Sequence, residues 1–115
     1  MVNRKESEFN VLVVDDHPQT AVGIATILDN EGFKTFEAYN RDDAIEICEE
    51  KKIDLVIIDE KTELGECLKE KKILITSYEE VPKEKIKRLK NLAGIVKKPV
   101  DAEELLPVVR KVLRL

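Results

Sequence analysis

Apolar residues in this chain form short runs that are separated by longer stretches with helical spacing. The clearest runs are "NVLVVD" over residues 10–15 and "IDLVIID" over residues 53–59, and shorter ones are "FKTFEAY" (33–39), "KILITS" (72–77) and "GIVKK" (94–98). Continuous apolar runs, unlike alternating ones, are typical of strands that are covered on both faces of a parallel sheet. The pattern therefore predicts five strands.

Between the strands, apolar residues recur at intervals of three and four. The first helix is predicted to begin near Pro18, which suits a first turn, and to end near Gly32. Its inward stripe is Ala21, Ile24, Ala25 and Leu28. Asn40 is a predicted N-cap for a second helix. The apolar face of that helix is Ala44, Ile47 and Cys48.

Two further helices are predicted in the second half of the chain. One is the charged stretch "VPKEKIKRLKNL" over residues 81–92, and the other begins at about Asp101, which has capping-box spacing with Glu104. The inward stripe of the last helix is Leu105, Val108, Val109 and Val112. Pro107 removes a hydrogen bond within that helix at a cost of about 3 kcal/mol, so we expect a kinked or late-starting helix.

Strands that alternate with helices predict right-handed βαβ units, and hence an α/β fold with a doubly wound, five-stranded parallel sheet. At 115 residues, with 43% hydrophobic and 38% charged residues, we expect one domain over residues 10–115 behind a polar N-terminal arm over residues 1–9. No apolar run is long enough to cross a membrane, and the N-terminus lacks the pattern of a secretory signal. We therefore expect a cytoplasmic protein that does not interact with a membrane.

Charge and cysteine usage exclude other classes. A net charge of −4 with interspersed lysines and glutamates argues against nucleic-acid binding. Cys48 and Cys67 lie far apart and His17 is the single histidine, so neither a disulfide framework nor a zinc site is supported. We interpret both cysteines as packing residues, and His17 as a residue that lines a site without catalysing a step.

The chemically informative residues follow the predicted strands. Asp15 and Asp16 follow the first strand, Asp59 ends the third, and Thr76 and Lys98 end the fourth and fifth. Ligands of open α/β sheets bind at the carboxyl ends of the strands, so these residues are expected to share one site. Three carboxylates repel one another there, so either some of their pKa values rise or a divalent cation such as Mg²⁺ supplies the missing charge.

The same residue types are suited to accepting a phosphoryl group. In this hypothesis Asp59 attacks phosphorus, Asp15 and Asp16 hold Mg²⁺, and Thr76 and Lys98 bind phosphoryl oxygens. Ser77 is adjacent to Thr76, but neighbouring strand residues point to opposite faces, so only one of the two hydroxyls is expected to reach the site.

Each residue also has an ordinary structural interpretation. Asp15 and Asp16 before a proline suit a turn or a helix cap, and Asp59 simply ends a strand. Thr76 is a common strand residue, and Lys98 beside another lysine is typical of a solvated surface. The combination of all of them, in this order and at strand ends, favours the site.

Four segments of the chain resemble the response-regulator receiver domain of two-component signalling: "VLVVDDHP", "DLVIID", "ILITS" and "VKKPVD". The resemblance runs from about Asn10 onward. It implies a flavodoxin-like fold, Mg²⁺-dependent phosphorylation of Asp59 by a histidine kinase or a histidine phosphotransfer protein, and self-dephosphorylation. It also implies that the main-chain carbonyl of Lys61 is a Mg²⁺ ligand and that the Lys98–Pro99 peptide bond is cis.

The chain departs from the family pattern after Asp59. Thr62 and Glu63 stand where Met-Pro is usual, and only residues 60–71 connect the third and fourth strands. A crossover needs about 10 to 12 residues, so the third helix is predicted to be shortened to one or two turns over "ELGECLKE" (63–70). Its inward residues are expected to be Leu64, Cys67 and Leu68. Thin cover over the sheet favours a partner protein or a homodimer at this surface.

Three other positions bear on signalling. Lys61 and Tyr78 are expected to restrict water near Asp59, which predicts a long-lived phosphorylated state. Ile95 stands where the family often has an aromatic residue whose side chain switches, so that switching mechanism is not expected here.

Two main functions compete. The sequence ends directly after the last helix, which predicts a stand-alone phosphoacceptor that is not an enzyme and signals through contact with an unknown downstream protein. The alternative is a degenerate receiver that acts as a phosphorylation-independent interaction module. An Asp-nucleophile phosphatase is a weaker third hypothesis, because its usual Asp-x-Asp spacing and cap domain are missing.

Overall fold

The computed structural model describes residues 4–62 and 68–115. The strands are β1 (Asn10–Val14), β2 (Lys34–Ala38), β3 (Leu55–Asp59), β4 (Lys72–Thr76) and β5 (Leu92–Lys97). The α-helices of the described residues are α1 (Pro18–Asn30), α2 (Arg41–Glu50), α3 (Lys83–Arg88) and α4 (Ala102–Leu113), and a 3-10 turn at Glu6–Glu8 precedes β1.

All five strands pair in parallel in the order β2-β1-β3-β4-β5. The order reverses between β1 and β3, so the chain winds outward first in one direction and then in the other. This confirms the predicted doubly wound, flavodoxin-like sheet. The carboxyl ends of β1 and β3 lie side by side at the reversal, which is the usual ligand position in such sheets.

Side chains alternate between two apolar layers. The helices α1 and α4 cover one face, where Val13, Ile57 and Ile75 point. The helix α2 and Leu89, which follows α3, contribute to the other layer, which receives Leu12, Ile58 and Leu74. Burial on both faces explains why β3 and β4 read as continuous apolar runs.

The helix α4 packs very closely on the edge strand β5. A Cβ atom built on Gly94 would lie 2.7 Å from Val108 Cγ1, so any other residue would require the Val108 side chain or the helix to shift. Gly94 therefore sets the distance between β5 and α4.

Two predicted N-caps are confirmed. The Asn40 side chain accepts a hydrogen bond from the Asp43 N–H at 2.8 Å, and the Asp101 side chain accepts one from the Glu104 N–H at 2.9 Å. Of the two alternatives for the last helix the late start is wrong, because α4 begins directly after Asp101 and continues through Pro107, and the kink stays a prediction. The cap and the buried stripe hold the helix despite the missing N–H.

Some element boundaries differ from the predicted ones. The helix predicted over residues 81–92 ends at Arg88, and β5 begins at Leu92 rather than at Gly94. Asn91 has a φ of 59°, a left-handed conformation that turns the chain directly into β5. The charged helical pattern continues past this turn in the sequence, and so it concealed the boundary.

The N-terminal segment is attached to the domain. Phe9 is buried in the layer beneath α1 and α4, and the Arg4 guanidinium lies 4.0 Å from the centroid of its ring. Glu6 and Arg110 form an ion pair at 3.5 Å. The division into an arm over residues 1–9 and a domain over residues 10–115 stays a prediction. Phe9, at the end of the predicted arm, already packs into the core of the domain.

The connection from β3 to β4 is partly outside the described residues. The predicted helix over residues 63–70, with Leu64 and Cys67, falls largely on that gap, while residues 68–70 are not helical. Leu68 is buried in the second apolar layer, as predicted. In the part of the chain that the structure describes, no helix is long and apolar enough to cross a membrane.

Candidate functional site

The five predicted site residues lie at the carboxyl edge of the sheet. Asp59 ends β3 and Thr76 ends β4, while Asp15 and Asp16 follow β1 and Lys98 follows β5. Asp15, Asp59 and Thr76 are 2%, 3% and 0% exposed. The parallel strands thus bring two carboxylates that are 44 positions apart into a buried site.

Asp59 is held at both carboxylate oxygens. Its Oδ2 accepts a hydrogen bond from the Lys61 N–H at 3.0 Å, and its Oδ1 contacts the Nζ of Lys98. Burial alone would lower the pKa of Lys98, but the hydrogen bond and charge of Asp59, with the charges of Glu60 and Asp15, raise that pKa above its ordinary value. Lys98 therefore stays an ammonium at neutral pH.

The acid pair after β1 has one buried and one exposed member. Asp15 Oδ1 accepts the His17 N–H at 2.9 Å, whereas the Asp16 side chain is 57% exposed and its Oδ1 lies 2.8 Å from His17 Nδ1. Burial raises the pKa of Asp15, and the charges of Asp59 and Asp16 raise it further, against the lowering effect of the His17 N–H. The structure places His17 beside both acids.

The donor set fits a divalent cation. Ligand atoms of Asp15, Asp16 and His17 lie within 4.8 Å of one another. Within the described part of the chain, Asp59 Oδ1 is buried and accepts no hydrogen bond of regular geometry, although Lys98 lies against it. Carboxylate oxygens are the kind of ligand that a hard cation such as Mg²⁺ takes. The proposed role of the Lys61 carbonyl as a ligand stays a prediction.

Glu60 is a member of this site that the sequence analysis did not identify. It follows Asp59 directly, its side chain is 7% exposed, and its carboxylate faces the end of β4. Oε2 accepts a hydrogen bond from the Thr76 hydroxyl, and Oε1 accepts one from the Ser77 hydroxyl at 2.7 Å. Burial would raise the pKa of Glu60, but these hydrogen bonds, the Ser77 N–H and the charge of Lys98 lower it below the ordinary value.

That only one of two adjacent hydroxyls reaches Asp59 stays a prediction, but its premise, that the two side chains point to opposite faces, is wrong. Both Thr76 and Ser77 donate to Glu60, and the Ser77 N–H lies 3.3 Å from each of its carboxylate oxygens. Ser77 lies one residue beyond the end of β4, so the alternation of side chains along a strand no longer applies. The Thr76 hydroxyl also accepts the Tyr78 N–H at 3.0 Å.

Two predictions from the family pattern concern β5 and its end. The Lys98–Pro99 peptide bond is cis, which confirms the expectation. Ile95 is 41% exposed on the edge strand, so the position that is often aromatic in the family carries a small, half-exposed aliphatic side chain.

Comparisons with known proteins agree with this geometry. Residues 11–110 match the response regulator receiver domain family. The chain belongs to that family. It is also 30% identical to sporulation initiation phosphotransferase F of Bacillus subtilis, over all of this chain and 98% of that protein.

Solved structures of the same fold are similar to this receiver domain. The chemotaxis response regulator CheY4 of Vibrio cholerae is 22% identical with a TM-score of 0.76, over 90% of this chain and 98% of that one. A two-component response regulator from Clostridium difficile is 19% identical with a TM-score of 0.79, over 92% and 96% of the two chains. Receiver domains are signalling modules of two-component systems, so the fold and the family agree.

In this receiver domain the part of the site that the sequence analysis missed is Glu60. Its position next to Asp59 gave no signal, because a glutamate after a strand is usually solvated. Its burial depends on donors that are 16 and 17 positions away. Another contact is more distant still in the sequence, since the main-chain carbonyl of Glu60 accepts a hydrogen bond from Lys85 on α3, 25 positions away.

Proposed function

We propose that this receiver domain accepts a phosphoryl group on Asp59 from a histidine kinase or a histidine phosphotransfer protein and signals through protein–protein contact. The observation that carries the proposal is the buried Asp59 carboxylate at the carboxyl end of β3, with the Lys98 ammonium against one oxygen. The neighbouring acid Asp15 and the hydroxyl of Thr76 complete an arrangement suited to phosphoryl transfer.

The transfer uses Asp59 as the nucleophile. One carboxylate oxygen forms a bond to phosphorus while the bond from phosphorus to the histidine nitrogen of the donor breaks, and the electron pair stays on that nitrogen. Lys98, which already contacts Asp59 Oδ1, stabilises the negative charge of the transferred group. Hydrolysis later removes the phosphoryl group: water attacks phosphorus, the carboxylate of Asp59 is the leaving group, and inorganic phosphate is released.

The proposal includes a divalent cation. Asp15, Asp16, Asp59 and the main-chain carbonyl of Lys61 would hold Mg²⁺, which supplies positive charge for the phosphoryl oxygens when it is bound. The raised pKa of Asp15, caused by its burial and by the charge of Asp59, supports this assignment, because the buried acids lack enough positive partners.

The choice of phosphodonor rests on the family and on the relative whose name describes a phosphotransferase. A protein donor of this kind presents a phosphorylated histidine, which would approach Asp59 past the exposed side chains of Asp16 and His17. The proposal does not make the domain an enzyme, because the phosphoryl group ends on the protein itself.

The test is intact-mass measurement after incubation of the full chain with Mg²⁺ and acetyl phosphate. We expect an adduct of one phosphoryl group that disappears in Asp59→Asn and in the presence of a chelator. The exposed Asp29→Asn variant is the matched control and should still form the adduct. An adduct that persists in Asp59→Asn would exclude Asp59 as the acceptor.

The second candidate is a phosphorylation-independent interaction module. The observation that favours it is Glu60, which already takes the hydroxyl donors of Thr76 and Ser77. The same experiment separates the two functions, since absence of any adduct with acetyl phosphate and with a phosphorylated histidine donor protein would favour the module.

A further inference from the structure

The Glu60 carboxylate occupies an anion subsite beside Asp59. Four groups surround it: the hydroxyls of Thr76 and Ser77, the Ser77 N–H at 3.3 Å, and the Lys98 ammonium at 4.0 Å. Two hydroxyls, an amide and an ammonium that converge on two oxygens are a donor set for a tetrahedral oxyanion as well as for a carboxylate.

The subsite and the phosphoacceptor share one cation. Lys98 Nζ contacts Asp59 Oδ1 and lies 4.0 Å from Glu60 Oε1, so it is positioned between two carboxylates. A phosphoryl group on Asp59 brings additional negative charge next to Lys98. That charge would have to share the same cation with Glu60, and like charges at this separation repel in a buried site.

Glu60 is fixed by its main chain as well as by its side chain. Its N–H donates to the Ile75 carbonyl at 3.0 Å, and its carbonyl accepts from Lys85 on α3. The backbone is therefore held to β4 and α3 by bonds that do not involve the carboxylate, which is held separately by the hydroxyls of Thr76 and Ser77. Movement of the carboxylate out of the subsite does not require the strands to separate.

We propose that Glu60 is an internal competitor for the phosphoryl group, and that its carboxylate must leave the Thr76 and Ser77 donors before these bind phosphoryl oxygens on Asp59. This inference rests on the proposed function of Asp59. It gives the residue after the acceptor a role in setting how readily the receiver is phosphorylated. A residue that served only to join β3 to β4 would instead be needed for stability and would leave the phosphorylation rate unchanged.

The first experiment compares phosphorylation rates. Wild type, Glu60→Ala and Glu60→Gln are incubated with Mg²⁺ and acetyl phosphate, and the adduct is followed by intact mass. We expect Glu60→Ala, which frees the donors, to be labelled on the order of tenfold faster than wild type, with Glu60→Gln between them because it removes the charge but can still occupy the subsite. Glu79→Ala removes an exposed carboxylate after the same strand and should label at the wild-type rate.

Equal or slower labelling of a folded Glu60→Ala would overturn the inference and leave the proposed function intact. Faster labelling of Glu60→Ala would support both, whereas labelling of that variant alone would support the inference and count against the proposed function of the wild-type chain. If none of the variants forms an adduct that depends on Asp59, the proposed function fails, and the second experiment decides the inference by itself.

The second experiment measures anion binding without phosphoryl transfer. The chain with Asp59→Asn, and the same chain with Glu60→Ala added, are titrated with inorganic phosphate, and the NMR signal of the Ser77 amide is followed. We expect a saturable shift at least several-fold tighter in the double variant, because the donors are free there. Identical titrations, or a shift spread evenly over surface amides in both, would overturn the inference.

Discussion

Lys72, at the amino end of β4, and Glu60, beside its carboxyl end, are both buried charges, but their partners differ in kind. The Lys72 ammonium donates to three main-chain carbonyls, those of Leu68, Glu70 at 2.9 Å and Lys90 at 2.6 Å. Glu60 instead shares the cation Lys98 with a second carboxylate, Asp59. At the amino end of β4, neutral main-chain carbonyls surround the charge of Lys72. At the carboxyl end, two carboxylates of the same charge lie on one cation.

The difference separates a structural charge from a functional one. Carbonyls that are fixed by the fold satisfy the three donors of a lysine, and they leave nothing for a ligand to add. Burial still lowers the pKa of Lys72, which is the ordinary consequence of removing an ammonium from water. At the carboxyl end, burial and neighbouring acids raise the pKa of Asp15, so we expect this end to gain stability on binding a cation.

The largest effect is expected at the amino end, on replacing Lys72. Lys72→Met keeps the volume but leaves three carbonyls without a donor, of which the Leu68 bond is fully buried. We expect a loss of about 3 kcal/mol in the free energy of unfolding, measured by urea denaturation. Lys71→Met, at the exposed neighbouring position, should change it by less than about 0.5 kcal/mol.

An unchanged or higher stability of Lys72→Met would break the comparison. It would mean that the cost of burying the ammonium equals or exceeds the stabilisation from its three hydrogen bonds. The buried charge at the amino end of β4 would then be destabilising, as the carboxylates at the carboxyl end are expected to be.

The reactivity of the Cys48 thiol is a second probe of the amino end of β4, because the charges of Glu70 and Lys72 act on its pKa. Burial and the charge of Glu70 raise its pKa from 9.0 to about 11, against the opposing charge of Lys72. At about pH 8 the thiolate fraction should be about 100-fold below that of an unfolded thiol. We expect alkylation by iodoacetamide in a Cys67→Ser background to be slowed by this factor, and to regain the ordinary rate in urea.

The sign of the linked stability effect follows from the same shift. The unfolded thiol ionises near pH 9 while the folded one keeps its proton to about pH 11, so ionisation favours unfolding and stability falls as the pH rises between these values. Alkylation at the rate of an exposed thiol in the folded protein would show that this end opens readily.

At the carboxyl edge of the sheet, replacing Asp15 is expected to have a smaller effect on the free energy of unfolding, and one of opposite sign. Asp15→Asn keeps the acceptor for the His17 N–H and removes a buried charge whose pKa is raised by burial and by Asp59. Without divalent cations, we expect the free energy of unfolding to rise by about 1 kcal/mol in urea denaturation. The exposed Asp16→Asn should change it less.

Adding Mg²⁺ sharpens this result. Wild type should gain stability with Mg²⁺ concentration and Asp15→Asn should gain much less, because one ligand has lost its charge. A destabilised Asp15→Asn in the absence of metal would contradict the interpretation that this end is strained by like charge.

The sequence predicted the periodic parts of the fold well, for a physical reason. β3 is buried on both faces, so every one of its positions had to be apolar up to Asp59, and α1 buries the whole predicted stripe. The site residues Asp15, Asp59, Thr76 and Lys98 were found because parallel strands bring their carboxyl ends together. These features depend on local pattern and on topology alone.

What the sequence did not reveal depends on contacts between distant residues. Nothing in the sequence singled out Glu60 or Lys72, and their burial is visible only once β4 lies between β3 and β5. Thr76 and Ser77 were expected to point to opposite faces because strand alternation was extended one residue too far. The end of α3 was misplaced because a left-handed Asn91 interrupts a charge pattern that continues in the sequence.

The smallest expected effect concerns the lifetime of the phosphorylated state. Tyr78 is 45% exposed and its N–H donates to the Thr76 hydroxyl, while the exposed Lys61 donates its N–H to Asp59, so both side chains extend from backbone that touches the site. If they restrict water near the phosphoryl group, Tyr78→Ala and Lys61→Ala should each hydrolyse about twofold to threefold faster, as measured by loss of the mass adduct after the donor is removed. Tyr39→Ala, which removes a comparably exposed ring after β2, should hydrolyse at the wild-type rate. Unchanged rates in both test variants would exclude this shielding and would leave the carboxylates and Lys98 as the determinants of lifetime at this end of the sheet.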